Sequence, residues 1–307
     1  MLTLTPRSVI LAASRNARVE RLVAGAPLSR NVVRRFVAGT ATEDAVRASR
    51  ELTAKGLLVS LDHLGEDTTD AGQADATVKA YLVLLDRLRE AGLTDGGRVE
   101  VSVKLSAVGQ TISDKLALQG ARTICQAAQE AGTTVTLDME DHTTTDRTLA
   151  TLATLRQDFP RTGAVLQAYL HRTEQDCRTL ATAGSRVRLC KGAYKEPADV
   201  AFQSPEHVDA AYVRCLEVLM AGDGYPMVAT HDPAMIDKAL ALGTPGEFEF
   251  QLLYGIRPLE QERLAAAGHA VRIYTPYGDQ WYGYLMRRLA ERPANLVFFL
   301  RALVSKS

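Results

Sequence analysis

Short apolar runs recur along the chain, and most of them end in polar residues. Eight of these runs are predicted to be buried strands, at residues 57–65, 98–109, 134–141, 164–170, 187–194, 226–233, 248–256 and 271–278. Stretches with helical spacing, such as residues 75–92 and 114–132, lie between them. Strands that alternate with helices pair in parallel, and eight such units predict an α/β protein of the (βα)8 barrel type.

A doubly wound sheet is the weaker alternative. No GxGxxG motif follows a strand and opens a helix, and no GxxxxGK motif followed by Ser or Thr is present. Residues 1–50 have helical patterns and are predicted to form an N-terminal appendage, whereas the barrel domain is predicted to span residues 51–307. Residues 295–306, NLVFFLRALVSK, predict an apolar amphipathic helix that covers one end of the barrel.

The charge balance and the cysteines narrow the range of partners and compartments. Lys plus Arg and Asp plus Glu number 36 each, so the formal net charge is zero and nucleic acid is not an expected partner. The four cysteines stand far apart without a CxxC motif, which is typical of buried thiols in a reducing compartment. No apolar run reaches the length of a transmembrane helix, and we therefore expect a cytoplasmic protein.

Polar residues at the ends of the predicted strands are the first candidates for function, because barrel active sites lie at the carboxyl ends of the strands. This set comprises Asp62, Lys104, Asp138, Gln167, Arg188, Lys191, His231, Gln251 and Tyr274. Lys104 stands out, since a lysine within an apolar strand is rarely buried without a partner. Asp138 can supply its countercharge or orient a ligand, and a role as an ordinary loop cap is equally open.

The segment VRLCKGAYKEP places Arg188 and Lys191 just before Gly192 and Ala193, where the backbone can approach a ligand closely. This arrangement favours an anionic cofactor, and it also suits the Schiff-base lysine of an aldolase barrel. A salt bridge to Glu196 at the rim of the barrel is a third interpretation. The six histidines form no HxxxH or HExxH motif, so no metal site is predicted.

The helix predicted after the last strand carries two adjacent arginines. Tyr284, Arg287, Arg288 and Glu291 lie on one broad face of it, because residues three and four positions apart are neighbours on a helix. Two guanidinium groups beside the end of a strand suit a small carboxylate better than an extended polyanion. An exposed ion pair between Arg287 and Glu291, with one spare arginine, is the plainer alternative.

Taken together, the motifs resemble those of the proline dehydrogenase family in its compact, single-function bacterial form. The segments that carry the resemblance are RLCKGAYKEP, ATHDP, FEFQLLYGIR, and RIYTPYG followed by YLMRRLAER. Residues 1–50 match less clearly, and Asp141 stands where the family more often has Glu. The resemblance implies a distorted (βα)8 TIM-like barrel whose final helix lies above the barrel mouth, with FAD bound noncovalently.

The resemblance also assigns expected catalytic roles. Arg287, Arg288 and Lys104 are expected to hold the carboxylate of proline. Glu291 is expected to lie beside the arginine pair, and Asp138 to lie near both the flavin and the substrate lysine. Neither the resemblance nor the residues themselves identify a general base for the substrate amine.

Further expected roles concern the substrate pocket and the cofactor. Tyr274 is expected to pack against the pyrrolidine ring and to favour proline over hydroxyproline, and Leu253 is expected to line the same pocket. Tyr194 is expected near the path by which the substrate arrives. The expected flavin contacts are Asp138, Met139, Gln167, Arg188, Lys191, Gly192, Ala193, Thr230 and His231.

The implied reaction is the oxidation of L-proline to 1-pyrroline-5-carboxylate, the first step of proline catabolism, by hydride transfer to flavin N5. The family usually passes its electrons to a membrane quinone, which implies peripheral contact with the inner face of the membrane. Residues 295–306 can make this contact, or they can close the barrel as a lid. Two other interpretations stay open, namely a Schiff-base aldolase that uses Lys104 or Lys191 and a non-catalytic barrel that binds a small acid.

Overall fold

The computed structural model describes residue 33 and residues 35–291, with side chains described as far as Met286. The predicted helix at residues 295–306 lies outside the described residues, and so do residues 1–32 and 34 of the predicted N-terminal appendage. Arg287, Arg288 and Glu291 are described only as backbone of the last helix, and their side chains lie outside the described part.

Eight parallel strands form one sheet that curves into a barrel. They are β1 Leu58–His63, β2 Val99–Val103, β3 Val135–Leu137, β4 Ala164–Gln167, β5 Arg186–Cys190, β6 Tyr225–Ala229, β7 Glu249–Leu253 and β8 Ala270–Tyr277. The hydrogen-bonded order is β3-β2-β1-β8-β7-β6-β5-β4, and every pairing is parallel. Five of them fall within the segments predicted from the sequence, and β5, β6 and β8 each begin one residue earlier, so the predicted barrel is confirmed.

The barrel closes where β3 meets β4. The Leu137 amide donates to the Gly163 carbonyl at 2.9 Å, and the Gly163 amide donates to the Val135 carbonyl at 2.8 Å. A Cβ atom at position 163 would lie 2.5 Å from the Thr136 hydroxyl oxygen. A glycine is therefore required at this contact, because the two strands approach too closely for a side chain.

Helices follow the strands and cover the outside of the barrel. They are α1 Thr42–Thr53, α2 Ala71–Glu90, α3 Asp114–Glu130, α4 Thr145–Arg156, α5 Thr173–Leu180, α6 Pro205–Met220, α7 Pro233–Leu242, α8 Pro258–Ala266 and α9 Trp281–Glu291. Several begin at a residue whose side chain accepts a hydrogen bond from the first turn, as Asp70 does for α2 and Ser113 for α3. None of the helices within residue 33 and residues 35–291 is long and apolar enough to cross a membrane.

Helix α1 precedes the barrel and packs against β1 and β8. The backbone before it is tied to the end of β8, where the Ala38 amide donates to the Pro276 carbonyl at 2.9 Å. The domain boundary predicted between residues 50 and 51 falls inside α1. The division into an appendage and a barrel remains a prediction.

Each strand sends alternate side chains to opposite faces of the sheet. In β1, Val59 and Leu61 join the apolar core between the strands and the helices. Ser60 and Asp62 make their contacts on the other face, inside the barrel. The apolar core of this protein therefore lies outside the sheet, and the barrel interior is left to polar side chains.

Two buried ion pairs fill the amino-terminal half of the barrel interior. Arg186 lies 2.7 Å from Glu100, and Arg272 lies 2.7 Å from Glu249. Burial alone would raise the pKa of Glu100, but Arg186, Arg272 and Arg188 outweigh it and lower that pKa to about 2. Glu100 is thus held as an anion by the surrounding guanidinium groups.

The Glu100→Gln substitution leaves these guanidinium groups undercompensated, and we expect it to lower the free energy of unfolding at pH 7 by about 3 kcal/mol. Because the folded pKa of about 2 lies below the unpaired value of 4.5, this contribution is present above pH 4.5 and is lost as the pH falls toward 2.

Urea unfolding of both proteins at about pH 7 and about pH 3 measures the difference. The Glu90→Gln change, at an exposed pair with Arg87, is the control and should cost less than about 1 kcal/mol. An equal loss in the two variants would contradict the account of the barrel interior.

Candidate active site

Four of the polar residues at strand ends meet at one side of the barrel mouth. Lys104 directly follows β2, Asp138 directly follows β3, Asp62 lies in β1 and Tyr274 lies in β8. Since β3, β2, β1 and β8 are consecutive neighbours in the sheet, their carboxyl ends bring these side chains together. We call these four residues the lysine cluster.

The lysine cluster is connected by short polar contacts. The Lys104 ammonium lies 2.6 Å from Asp62 Oδ2, 3.5 Å from the Tyr274 hydroxyl and 3.8 Å from Asp138 Oδ2. The Tyr274 hydroxyl donates to Asp138 Oδ2 at 2.7 Å. The structure thus brings together three predicted catalytic residues, Lys104, Asp138 and Tyr274, and shows that Asp62 is the nearer countercharge of the lysine.

Burial and charge act against each other in this cluster. Burial alone would lower the pKa of Lys104, but Asp62 and Asp138 outweigh it and raise that pKa above its usual range. Burial raises the pKa of Asp62, and the charge of Lys104 opposes the rise. Burial and the two carboxylates raise the pKa of Tyr274 well above 10, so its hydroxyl stays protonated. The lysine is therefore a fixed cation at neutral pH.

Arg188 crosses the barrel beneath this cluster. Its guanidinium donates to Asp138 Oδ1 at 2.6 Å, to Ser102 Oγ at 3.0 Å and to Ser60 Oγ at 3.2 Å. It also donates to the side-chain oxygen of Gln251, and its central carbon lies 5.2 Å from the centre of the Tyr274 ring. Arg188 thus fixes both Asp138 and Tyr274 from below, and its predicted contact with a flavin remains a prediction.

The other side of the mouth is formed by the ends of β4, β5 and β6. Lys191 follows β5, and its ammonium is paired with Asp209 of α6 and, at 2.6 Å, with Asp232 at the start of α7. Burial alone would lower the pKa of Lys191, but the hydrogen bonds to Asp209 and Asp232 outweigh it and raise that pKa. The lysine therefore binds two acids that the sequence did not associate with it.

The alternative of a rim salt bridge to Glu196 is wrong. Glu196 accepts a hydrogen bond from the His142 amide at 3.0 Å, contacts the ring of His142, and accepts one from the Tyr169 hydroxyl at 3.2 Å. This carboxylate ties the loop after β5 to the loops after β3 and β4. Its role in the structure is to hold these loops together.

Gly192, in the loop after β5, packs closely against the ring of Tyr169, which follows β4. Its φ is +116°, and a Cβ atom there would lie 2.3 Å from the Tyr169 ring. Only glycine combines this backbone conformation with this contact without strain. The next residue, Ala193, is exposed.

Thr230 and His231 directly follow β6. A hydrogen bond to His231 joins this segment to β7. The Thr230 hydroxyl accepts a hydrogen bond from the Asp232 amide at 3.1 Å. The Leu253 amide donates to His231 Nε2 at 2.9 Å, and Arg257 donates to the His231 carbonyl. A predicted pocket residue, Leu253, is thereby joined through its backbone to a predicted cofactor residue, His231.

The remaining predicted cofactor residues lie at the ends of β3 and β4. Gln167 is buried and donates to the Glu140 carbonyl at 2.7 Å, and Met139 is also buried. Glu140 accepts from the Ser106 amide at 3.1 Å and from the Ser106 hydroxyl. Burial raises the pKa of Glu140, and the hydrogen bonds from Ser106 oppose that rise.

Several residues of the mouth were absent from the predicted site. Asp62 was identified as a residue at a strand end but received no role, although it shares a strand face with Ser60 in an otherwise apolar run. Asp232 follows His231 in the ATHDP segment, so its place at the mouth was readable from the sequence. Asp209 lies within a helix, and its sequence gives no sign that it pairs with Lys191.

The residues at the second side of the mouth suit an anionic, hydrogen-bonding cofactor. They offer an ammonium at Lys191, a hydroxyl at Thr230, an amide at Gln167 and main-chain groups at the half-buried Gly192 and the exposed Ala193. A phosphate group would compete with Asp209 and Asp232 for Lys191. This set of donors fits a flavin nucleotide, and the lysine cluster across the mouth fits a small carboxylate.

A model of the proline dehydrogenase family matches residues 45–301. The chain is 37% identical over 305 residues to "Proline dehydrogenase 1" of Bacillus subtilis, covering 98% of this chain and 99% of the relative. It is 38% identical over 308 residues to "Proline dehydrogenase" of Deinococcus radiodurans, with 97% of each chain covered. The chain therefore belongs to the proline dehydrogenase family.

The fold agrees with that of a larger solved protein. Proline utilization A from Bdellovibrio bacteriovorus, solved after inactivation by N-propargylglycine, superimposes with a TM-score of 0.82 at 24% identity. The match covers 98% of this chain and 38% of that chain, so it relates this barrel to one part of the larger protein. Proline dehydrogenases are oxidoreductases of proline catabolism and use a flavin, and the Schiff-base aldolase is accordingly not favoured.

The Gly192→Ala substitution should displace the loop after β5, because the added methyl group meets the Tyr169 ring at 2.3 Å. We expect a loss of roughly 2 kcal/mol or more in stability and weaker flavin retention. Thermal unfolding and the ratio of flavin to protein absorbance measure both effects.

Gly184→Ala is the matched control, since Gly184 also has a positive φ, of +76°, but no atom within 4 Å of the added Cβ. This control should cost about 1 kcal/mol and retain its flavin. Equal flavin loss in the two variants would show that the Gly192–Tyr169 contact does not shape the cofactor site.

Proposed function

We propose that this chain oxidises L-proline to 1-pyrroline-5-carboxylate with noncovalently bound FAD, at the mouth formed by the carboxyl ends of the strands. The observation that carries the proposal is the lysine cluster, in which the buried cation Lys104 lies within 3.5 Å of the Tyr274 hydroxyl at the barrel mouth. The family membership supports the reaction. The contacts of the cluster support its location.

The carboxylate of proline binds Lys104 together with Arg287 and Arg288. Lys104 is protonated at neutral pH because two carboxylates hold its pKa above the usual range. The two arginines lie in α9, which is separated by three residues from the end of β8, the strand that carries Tyr274. Two planar guanidinium groups and an ammonium suit one small carboxylate, since they supply several charge-assisted hydrogen bonds.

Tyr274 forms one wall of the substrate pocket, and Leu253 of the neighbouring strand β7 forms another. The backbones of the two residues are paired in the sheet, so both side chains belong to one short stretch of the rim. The Tyr274 ring is held by its hydrogen bond to Asp138 and by Arg188 beneath it. A ring fixed in this way leaves little room for an additional hydroxyl on the substrate, which favours proline over hydroxyproline.

Asp138, Met139, Gln167, Arg188, Lys191, Gly192, Ala193, Thr230 and His231 are the residues proposed to hold the flavin. A flavin bound there would supply the hydride acceptor for oxidation of the ring carbon of proline that is bonded to nitrogen and bears no carboxylate. The contribution of the chain is to bind and orient the substrate, because the hydride moves only in a near-attack geometry. Asp138 and Glu291 balance part of the positive charge around the carboxylate.

Electron transfer to a membrane quinone, with the protein at the inner face of the membrane, is part of the same proposal. It is supported by the resemblance to proline dehydrogenases alone. Residues 295–306, which were expected either to make this contact or to close the barrel as a lid, lie outside the described residues. Sedimentation with lipid vesicles, compared for the full chain before and after reduction by proline, tests this part separately from the oxidation of proline.

The visible absorption spectrum of the purified protein tests the function directly. We expect flavin bands that bleach on anaerobic addition of L-proline and do not bleach with D-proline at the same concentration, because the carboxylate clamp fixes the orientation of the ring. Flavin bands that persist with L-proline would contradict the substrate. A colourless protein that stays inactive after addition of FAD would contradict the cofactor.

The Arg288→Lys substitution should raise the KM for proline roughly tenfold or more, because a lysine cannot reproduce the two parallel hydrogen bonds of a guanidinium to a carboxylate. Steady-state kinetics with varied proline measure the change. Arg89→Lys, at an exposed pair with Asp86 on α2, is the control and should leave KM unchanged. An unchanged KM in the Arg288 variant would remove this arginine from the carboxylate clamp.

A further inference from the structure

Asp62 is the closest charged partner of Lys104, and none of the proposed roles above includes it. Its Oδ2 atom lies 2.6 Å from the Lys104 ammonium, whereas the nearest oxygen of Asp138 lies 3.8 Å away. The Asp62 side chain is 1% exposed, and that of Lys104 is 12% exposed. Among the described residues, Asp62 Oδ1 has no hydrogen-bond partner. The pair is thus a buried ion pair at the base of the substrate pocket.

Asp138 is less available to compensate the lysine because other donors already occupy both of its oxygens. Oδ1 accepts from Arg188 at 2.6 Å and from Ser102 at 2.8 Å, and Oδ2 accepts from Tyr274 at 2.7 Å. Its negative charge is therefore directed mainly toward the guanidinium of Arg188. A buried lysine without a dedicated anion would lose its proton, since a low-dielectric environment disfavours the charged form.

We propose that Asp62 is a positioning residue that keeps Lys104 protonated and holds its ammonium group at the barrel mouth, where it binds the substrate carboxylate. This inference rests on the proposed role of Lys104 in carboxylate binding. Asp62 itself faces the lysine from the neighbouring strand β1, and its buried side chain does not touch the substrate. Its contribution is to keep Lys104, the residue that binds the substrate, in its charged form.

Other charged and titratable groups surround the ion pair of Lys104 and Asp62 and could also affect the charge of the lysine. Those that interact with Lys104 or Asp62 are Asp138 and Glu140 after β3, Glu66 in the loop after β1, Tyr274 and Tyr277 of β8, His63 of β1 and Tyr81 of α2. Asp138, Glu140 and Glu66 are the other carboxyl groups in this set. Asp138 is shared with Arg188, Glu140 accepts hydrogen bonds from Ser106, and Glu66 lies in a loop, so none of them replaces the direct contact of Asp62 with the lysine.

The consequence is a defined dependence of binding on pH. In the native protein Lys104 stays charged well above pH 8, because Asp62 raises its pKa. Removal of the Asp62 charge lowers that pKa, so the ammonium is present at low pH and is lost as the pH rises through the new value. Binding of a carboxylate then weakens with rising pH in the Asp62→Asn variant but not in the native protein.

The inhibition constant of cyclopentanecarboxylate against proline oxidation by the flavin-loaded protein measures this effect. This probe has the ring and the carboxylate of proline but no amine, so nothing on it titrates between about pH 7 and pH 10. We expect a flat inhibition constant in the native protein and a rise of roughly tenfold or more over this range in Asp62→Asn. A flat profile in the variant would overturn the proposal.

A double-substitution cycle shows whether Asp62 acts through the lysine. Lys104→Met should weaken the probe at every pH, and adding Asp62→Asn to it should introduce no further dependence on pH. A pH dependence that persists in the double variant would mean that Asp62 acts on another group, which contradicts the proposal. Asp62→Glu retains the charge and should restore a flat profile.

Competitive acetylation of Lys104, followed by peptide mass spectrometry, separates the two parts of the inference. In Asp62→Asn the pH at which Lys104 becomes reactive should fall by roughly one unit or more. Lys79, whose exposed ammonium lies 2.7 Å from Asp75, should show a much smaller fall in Asp75→Asn. A shift at Lys104 combined with a flat inhibition profile would refute carboxylate binding by the lysine but not its pairing with Asp62.

Thermal unfolding keeps the inference testable if Asp62→Asn binds no flavin. Lys104→Met leaves Asp62 as a buried carboxylate without its cation, so we expect its Tm to fall by on the order of 5 °C and to fall further as the pH rises. Adding Asp62→Asn to Lys104→Met should recover much of that loss. A double variant less stable than Lys104→Met would show that the two residues are not an ion pair and would overturn the proposal.

Discussion

Charge compensation inside the barrel is the constraint on which the site depends. Arg188 alone connects β5 with β1, β2, β3 and β7, through Ser60, Ser102, Asp138 and Gln251. A guanidinium can do this because its donors point in several directions within one plane and it remains charged when buried. A buried guanidinium group without an anion would lower the stability of the fold, so the barrel itself depends on Asp138, which is also part of the proposed substrate site.

The same principle organises the interior in layers along the barrel axis. Near the amino-terminal ends of the strands, Glu100 pairs with Arg186 and Glu249 with Arg272. At the carboxyl ends, the lysine cluster leaves one cation directed at the mouth and two acids to hold it. A cation held at the mouth in this way suits a small anion, which agrees with the proposed binding of a carboxylate there. Under that proposal, the stability of the fold and the affinity for the substrate depend on the same charges.

The barrel was predictable because its signals are local and repeated. Runs such as residues 57–65 and 248–256 are short and apolar, and segments with helical periodicity lie between such runs. The observed strands lie within these runs or begin one residue before them. The position of Lys104, Asp138 and Tyr274 at the mouth followed from the rule that strand ends gather at one edge. One of the two partners of Lys191 was not predictable, because Asp209 lies in a helix and reaches the lysine only when α6 packs beside β5.

The sequence by itself determined the fold class, the family and the residue types at each strand end, since these depend on periodicity and on short motifs. Only the tertiary structure decided which charges neutralise one another. Asp62, Asp138 and Glu66 were all available anions for Lys104, and the register of β1 beside β2 makes Asp62 the nearest. Electrostatic partners depend on distances of a few ångströms across the barrel, and such distances are set by the closure of the sheet rather than by any one segment.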